Sequence, residues 1–154
     1  MRVDDVMTAP VVTVRDQATV AELLVLLTEK QISGVPVVDD RGTLTGIVSR
    51  HDIVIEELKA MNGKEDTRTR LAGILDAGYV TVAAEGLNCR STRVRQIMTP
   101  ASRIQSCRPS MPLPRACIIM VENRVHRLLV LAGRKLVGIL TTTDVVRAVG
   151  NGTL

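Results

Sequence analysis

Nine residues near position 50 return, in order and nearly in kind, close to the end of the chain. Gly46-Ile47-Val48-Ser49-Arg50-His51-Asp52-Ile53-Val54 recurs as Gly138-Ile139-Leu140-Thr141-Thr142-Thr143-Asp144-Val145-Val146, 92 positions on. Earlier in each copy, Val6-Met7-Thr8 recurs as Ile97-Met98-Thr99, 91 positions on. Two anchors in the same order at nearly the same offset mean duplication, so the fold must use one unit twice.

The signals between the anchors define that unit. Val11-Val12-Thr13-Val14 is a β-branched run that predicts a strand. Thr19 and Glu22 have the spacing of a capping box, and Val20, Leu23, Leu24 and Leu27 then recur at helical period. In the second copy Ser110 holds the matching cap position, Pro112 follows, and the helix is expected to run to about Asn123. Gly34 to Val38 and Leu44 to Val48 predict a hairpin around Asp39-Asp40-Arg41-Gly42. Its counterpart is Arg127 to Leu131 and Lys135 to Leu140 around Ala132-Gly133-Arg134. Each copy closes with a helix starting near Ser49 or Thr141, with Asp52 or Asp144 in the first turn, where a carboxylate complements the helix dipole.

The unit is therefore strand, helix, strand, strand, helix, an α/β chain of the α+β type. One copy has little apolar surface to bury, and two packed sheet to sheet resolve that shortage. The core must be aliphatic: 45% of the 154 residues are hydrophobic, yet the chain has no Trp, no Phe and a single Tyr79. The expected division is residues 1–59, a connector over 60–93, and residues 94–154. In the connector, Asn62-Gly63-Lys64-Glu65-Asp66 is a polar turn, and Leu71, Ile74 and Leu75 suit a short helix before Gly78. Gly86 to Ser91 carries no clear structural signal.

Met-Thr near the start, Gly34-Val35-Pro36-Val37-Val38 in the hairpin and Gly-x-x-Ser/Thr-x-x-Asp at the end are specific in combination. Together they resemble the CBS (cystathionine-β-synthase) domain, whose paired form is often called a Bateman module. The resemblance covers about Val6 to Lys59 and about Val94 to Val149. It implies two β-α-β-β-α repeats related by pseudo-twofold symmetry, with adenine nucleotide held in clefts between them.

The residues are compatible with such a ligand. A hydroxyl at the strand-to-helix junction lies beside the backbone N–H groups of the first helical turn, which suit phosphate. A carboxylate three residues on has two acceptor oxygens for vicinal ribose hydroxyls. The plainer alternative makes Ser49 and Thr141 simple N-caps and Asp52 and Asp144 first-turn acids without a ligand. The resemblance implies composite clefts. One joins Ser49, Arg50 and Asp52 to His126 and Arg127, a pair similar to one that contacts phosphate in related modules. The other joins Thr141, Thr142 and Asp144 to Ser33, Gly34 and the Thr13-Val14 strand end. The two arginines concentrate positive charge in the first cleft, which is the expected tighter phosphate site. Arg103-Ile104-Gln105 is a poorer strand than Val11-Val12-Thr13, Ser106-Cys107-Arg108-Pro109 replaces the usual turn, and Leu129 stands where the first copy has Pro36.

Other function classes find less support. The formal charge of +4 comes from dispersed residues, and the basic connector with Arg68, Arg70, Arg90, Arg93 and Arg95 is the sole feature favouring nucleic acid, which is not expected as a partner. Cys89, Cys107 and Cys117 are odd in number and lack metal-ligand spacing. No signal-like or membrane-length apolar run is present in the sequence, so a cytoplasmic protein without membrane contact is expected. No nucleophile-base set or carboxylate pair suggests catalysis, and no obligatory cofactor is implied. The sequence thus predicts a regulatory sensor of an AMP-, ADP- or ATP-like ligand, homodimeric, acting on a separately encoded target. The alternative is an interaction scaffold for a separate enzyme or transporter, with unused nucleotide sites.

Overall fold

A computed structural model describes residues 1–60 and 89–152. The helix expected around Leu71 to Leu75 lies outside them. The chain divides into two compact units that do not follow the order of the repeats. One is residues 13–101, and the other combines residues 1–12 with 102–154.

In the unit of residues 13–101, strand β1 (Val14–Arg15) runs parallel to β2 (Gly34–Val38), which forms a hairpin with β3 (Leu44–Ser49). The hairpin turn is closed by Asp39, whose Oδ1 accepts the amides of Arg41 at 2.9 Å and Thr43 at 2.8 Å. Gly42 takes φ 77°, a left-handed conformation that the missing side chain allows. Helix α1 (Val20–Glu29) starts at the expected capping box: Thr19 Oγ1 accepts from the Glu22 amide at 3.2 Å, and Glu22 Oε2 accepts from the Thr19 amide at 2.7 Å. Those bonds from Thr19, backbone first, hold the Glu22 carboxyl below its ordinary pKa. Val20, Leu23, Leu24 and Leu27 form the buried stripe, packed with Val35, Val37 and Val48 of the hairpin. Helix α2 (Arg50–Ala60) adds Ile53 to this core.

The second unit repeats the plan. Strand β5 (Ser106–Cys107) is parallel to β6 (Arg127–Ala132), and β6 pairs antiparallel with β7 (Lys135–Thr141). Helices α4 (Leu113–Glu122) and α5 (Thr142–Gly150) complete it, with α3 (Val94–Ile97) belonging to the other unit. Leu113, Ala116 and Met120 pack with Cys107, Leu128, Val130 and Leu140.

Three local expectations need correction. The first strand is Val14–Arg15 and does not begin at Val11, because Val14 is the buried member of that run while Val12 is exposed. Its counterpart is Ser106–Cys107, beyond Arg103-Ile104-Gln105, and Ala101–Arg103 is a 3₁₀ turn. Ser110 does not cap α4. The cap position is Pro112, which makes no side-chain bond, and the Leu113 amide donates to the Met1 carbonyl at 3.2 Å.

That last contact belongs to a larger exchange. Residues 1–12 pack on the second repeat and residues 89–101 on the first. The Val3 amide donates to the Met111 carbonyl at 2.9 Å, and Thr8 and Ile139 exchange backbone bonds of 2.9 and 3.1 Å beside β7. In the other unit, the Val20 and Ala21 amides in the first turn of α1 donate to the Thr92 and Cys89 carbonyls at 3.0 and 2.9 Å. These are donors that a helix cannot satisfy from within. Strand β4 (Thr99–Pro100) then pairs with β3 through Ile47 and Gly46, the place that Thr8 takes beside β7. Val3 and Val94 are both fully buried members of the cores they join.

The matching glycines Gly46 and Gly138 mark where the exchanged segments cross the sheets. A Cβ on Gly46 would lie 2.6 Å from the Thr99 carbonyl oxygen and 2.7 Å from Met98 Sδ, whereas one on Gly138 would meet the flexible side chain of Met7. Backbone cannot yield as a thioether can. Gly46→Ala should therefore lower unfolding free energy by about 2 kcal/mol and Gly138→Ala by clearly less, as measured by urea denaturation.

Candidate functional site

Strand direction gathers most of the candidate residues at one end of each sheet. Because β3 is antiparallel to β2, the start of β2 and the end of β3 share an end, whereas Val14 at the start of β1 pairs with Val37, three residues further along β2. Gly34 pairs with Ser49, and the Arg50 amide donates to the Ser33 carbonyl at 3.0 Å. Ser33, Gly34, Ser49, Arg50 and Asp52 therefore sit together, and Thr13 and Val14 are not brought to that end, since Val14 lies opposite Val37. The second unit matches this point for point. Arg127 pairs with Thr141, and the Thr142 amide donates to the His126 carbonyl at 3.1 Å, so His126, Arg127, Thr141, Thr142 and Asp144 form its junction. The two units thus hold different members of each expected cleft: Ser49, Arg50 and Asp52 lie in one unit and His126 and Arg127 in the other. Likewise Thr141, Thr142 and Asp144 are in one unit, and Thr13, Val14, Ser33 and Gly34 in the other.

Each aspartate turns one oxygen back toward its own junction. Asp52 Oδ2 accepts from the Ser49 amide at 2.7 Å and the Ser49 hydroxyl at 2.8 Å. Asp144 Oδ2 does the same with Thr141, at 2.8 and 2.6 Å, and Thr141 Oγ1 in turn accepts the Asp144 amide at 3.3 Å. The hydroxyl three residues before each carboxylate thus orients it within the first helical turn, as a capping box does.

The remaining oxygens differ. Asp144 Oδ1 accepts from Thr8 Oγ1 at 3.1 Å and from Arg147 Nη1 at 3.3 Å. Asp52 Oδ1 receives no hydrogen bond from the side chains or backbone of the described residues. Burial follows the same division, Asp144 being 5% exposed and Asp52 half-buried. Thr8 and Arg147 were absent from the candidates drawn from sequence. The three-residue spacing from Asp144 to Arg147 was a legible signal for an ion pair along a helix. The Thr8 contact had none, since 136 residues separate the partners.

Among the described residues no group of three or more His, Cys, Asp or Glu is placed to hold a metal ion. No described helix is long and apolar enough to cross a membrane.

Comparison with known proteins shows the family. A family model for the CBS domain matches residues 3–59 and 94–151, and the chain belongs to that family, with two CBS repeats. It is 34% identical over 139 residues to the chloroplastic CBS domain-containing protein CBSX2 of Arabidopsis thaliana, covering 88% of this chain and 57% of that protein. The chain therefore spans little more than half of that relative's length. Protein MJ1426 of Methanocaldococcus jannaschii is 31% identical over 158 residues, covering 96% of this chain and 90% of that one. The crystal structure of CBSX2 in complex with AMP superposes with a TM-score of 0.71 at 30% identity, covering 99% of this chain and 98% of that one.

Cys107, on β5 in the core of the Asp144 unit, has its thiol pKa pushed up to about 11 by burial, from an ordinary value of 9.0. Burial, then the nearby charge of Glu57, also raises the Cys89 thiol. Below pH 9 Cys107 is neutral in both the folded and the unfolded chain, so its contribution to stability is intact. As pH rises toward 11, the unfolded thiol ionises first and stability falls, by up to about 1.4 kcal/mol per pH unit. Urea denaturation between pH 8 and 11 should show a steeper decline for the native sequence than for Cys107→Ala.

Proposed function

We propose that the chain is a regulatory CBS-pair protein that binds an adenine nucleotide of the AMP, ADP or ATP kind and performs no catalysis. The reading rests on the junction built in each unit, above all on Asp52: a carboxylate held in place by Ser49 through one oxygen and presenting the other to a ligand. Two vicinal hydroxyls are the natural donors for such a group, and Arg50 supplies a planar cation at the next residue for phosphate. Arg127 brings the same kind of charge to the other junction. An exposed aliphatic side chain such as Val12 provides apolar contact for a base, in a chain almost without aromatic residues. The AMP complex of a 30% identical structure supports the ligand class.

In this reading no cofactor is obligatory, the compartment is the cytoplasm, and the occupied state is passed to a separately encoded enzyme or transporter. The helical surface supports protein contact. Ile118 and Val121 on α4 and Val146 and Val149 on α5 are exposed, Val121 at 77% and Val146 at 69%, and a second copy of the chain in a homodimer is the expected occupant. The same side chains favour a second reading, an interaction scaffold whose junctions serve only as helix caps.

Thermal unfolding and calorimetric titration with AMP separate the two. At a hundredfold excess over its dissociation constant AMP should add about 2.7 kcal/mol of stability. Asp52→Ala should weaken the tighter binding step by about tenfold or more, since it removes hydrogen bonds to a charged acceptor. No shift at millimolar AMP would leave the scaffold reading.

A further inference from the structure

The two carboxylates share a motif and differ in what already occupies them. An ionised carboxylate offers about four acceptor directions, and Asp144 uses four: the Thr141 amide and hydroxyl on Oδ2, Thr8 Oγ1 and Arg147 Nη1 on Oδ1. Asp52 uses two, both on Oδ2 and both from Ser49. The sequence explains half of the difference. At the 92-residue offset Arg147 corresponds to Ile55, which has no donor. The other half is positional. Thr99 corresponds to Thr8 and enters its sheet at the same place, yet no hydrogen bond joins it to Asp52 among the described residues.

We propose that Thr8 and Arg147 make the Asp144 junction a gated ribose site, weaker than the Asp52 junction, and that ligand entry there loosens the arm locally, at Thr8 beside β7. This rests on the nucleotide-binding reading above and adds which site fills first and what the second event moves. A ribose diol reaching Asp144 must displace the Thr8 hydroxyl and the Arg147 guanidinium, both donors to a charge, so the exchange gains little where binding at Asp52 Oδ1 gains in full. Thr8 is the hinge of the effect. Its backbone holds the arm to β7 through Ile139, and its side chain holds it to Asp144. Displacing the side chain leaves Thr8 held by its two backbone bonds to Ile139, while Val3 stays bonded to Met111 in the core.

The Asp52→Ala chain isolates the Asp144 junction, and titration with AMP is the test. Adding Thr8→Val and Arg147→Ile to Asp52→Ala should tighten AMP binding by about tenfold, the worth of two competing charged hydrogen bonds set against the lost cation. Thr8→Ser with Arg147 intact should keep the weak affinity, because the serine hydroxyl still donates. Hydrogen exchange gives a readout independent of those substitutions: saturating AMP should speed exchange at the Thr8 and Ile139 amides in the Asp52→Ala chain. Unchanged or weaker affinity in the relieved chain, or slower exchange at those two amides, would overturn the gate while leaving nucleotide binding in place. Absence of AMP binding to the unmodified chain would instead remove the underlying reading, and the gate with it.

Discussion

The exchange of opening segments is the constraint on which both units depend. A hairpin of β2 and β3, or of β6 and β7, has one edge taken by a two-residue parallel strand and the other open. The segment that closes the open edge comes from the other repeat, as Thr99–Pro100 beside β3 and Thr8 beside β7. The same segments satisfy helix-start donors, through the Thr92 and Cys89 carbonyls at α1 and the Met1 carbonyl at α4. They also deliver Val94 and Val3 to the centres of the two cores. Edge pairing, helix capping and core completion are thus one event, and neither repeat achieves it from its own residues.

This dependence reaches the Ser/Thr-x-x-Asp junctions. The strand directions that bring Gly34 to Ser49 and Arg127 to Thr141 are local consequences of the hairpins. What stands next to Asp144 is set by the exchange, because Thr8 reaches that carboxylate only as part of the arm bound to β7. A duplicated motif therefore yields two unequally bonded carboxylates. Ser49 and Thr141 orient their aspartates alike, and the surroundings then leave one carboxylate half-buried with an oxygen to offer and bury the other in a network of its own.

Glycine choice shows how tightly the crossing is built. Gly46 and Gly138 recur in both copies where the Met-Thr segments pass over the strand, and a side chain there would meet Met98 and the Thr99 carbonyl or Met7. The repeated Met-Thr pair and the repeated glycine, which lie 39 residues apart in the first copy but belong to different units, are two sides of the same contact.

The sequence by itself determined the duplication, the helix stripe of Val20, Leu23, Leu24 and Leu27, the Thr19 capping box, the hairpins and the Ser/Thr-x-x-Asp junctions. All of these arise from residues a few positions apart, where periodicity and turn chemistry are local facts. The same local signals misplaced the cap of α4, because Ser110 looked adequate until the Met1 carbonyl supplied the partner. They also stretched β1 back to Val11, since a β-branched run says nothing of where the neighbouring strand offers a pair. Which repeat receives which opening segment, and so which aspartate is already satisfied, was decided only by tertiary structure. Thr8 and Asp144 are joined by folding over 136 residues, and no spacing rule reaches so far.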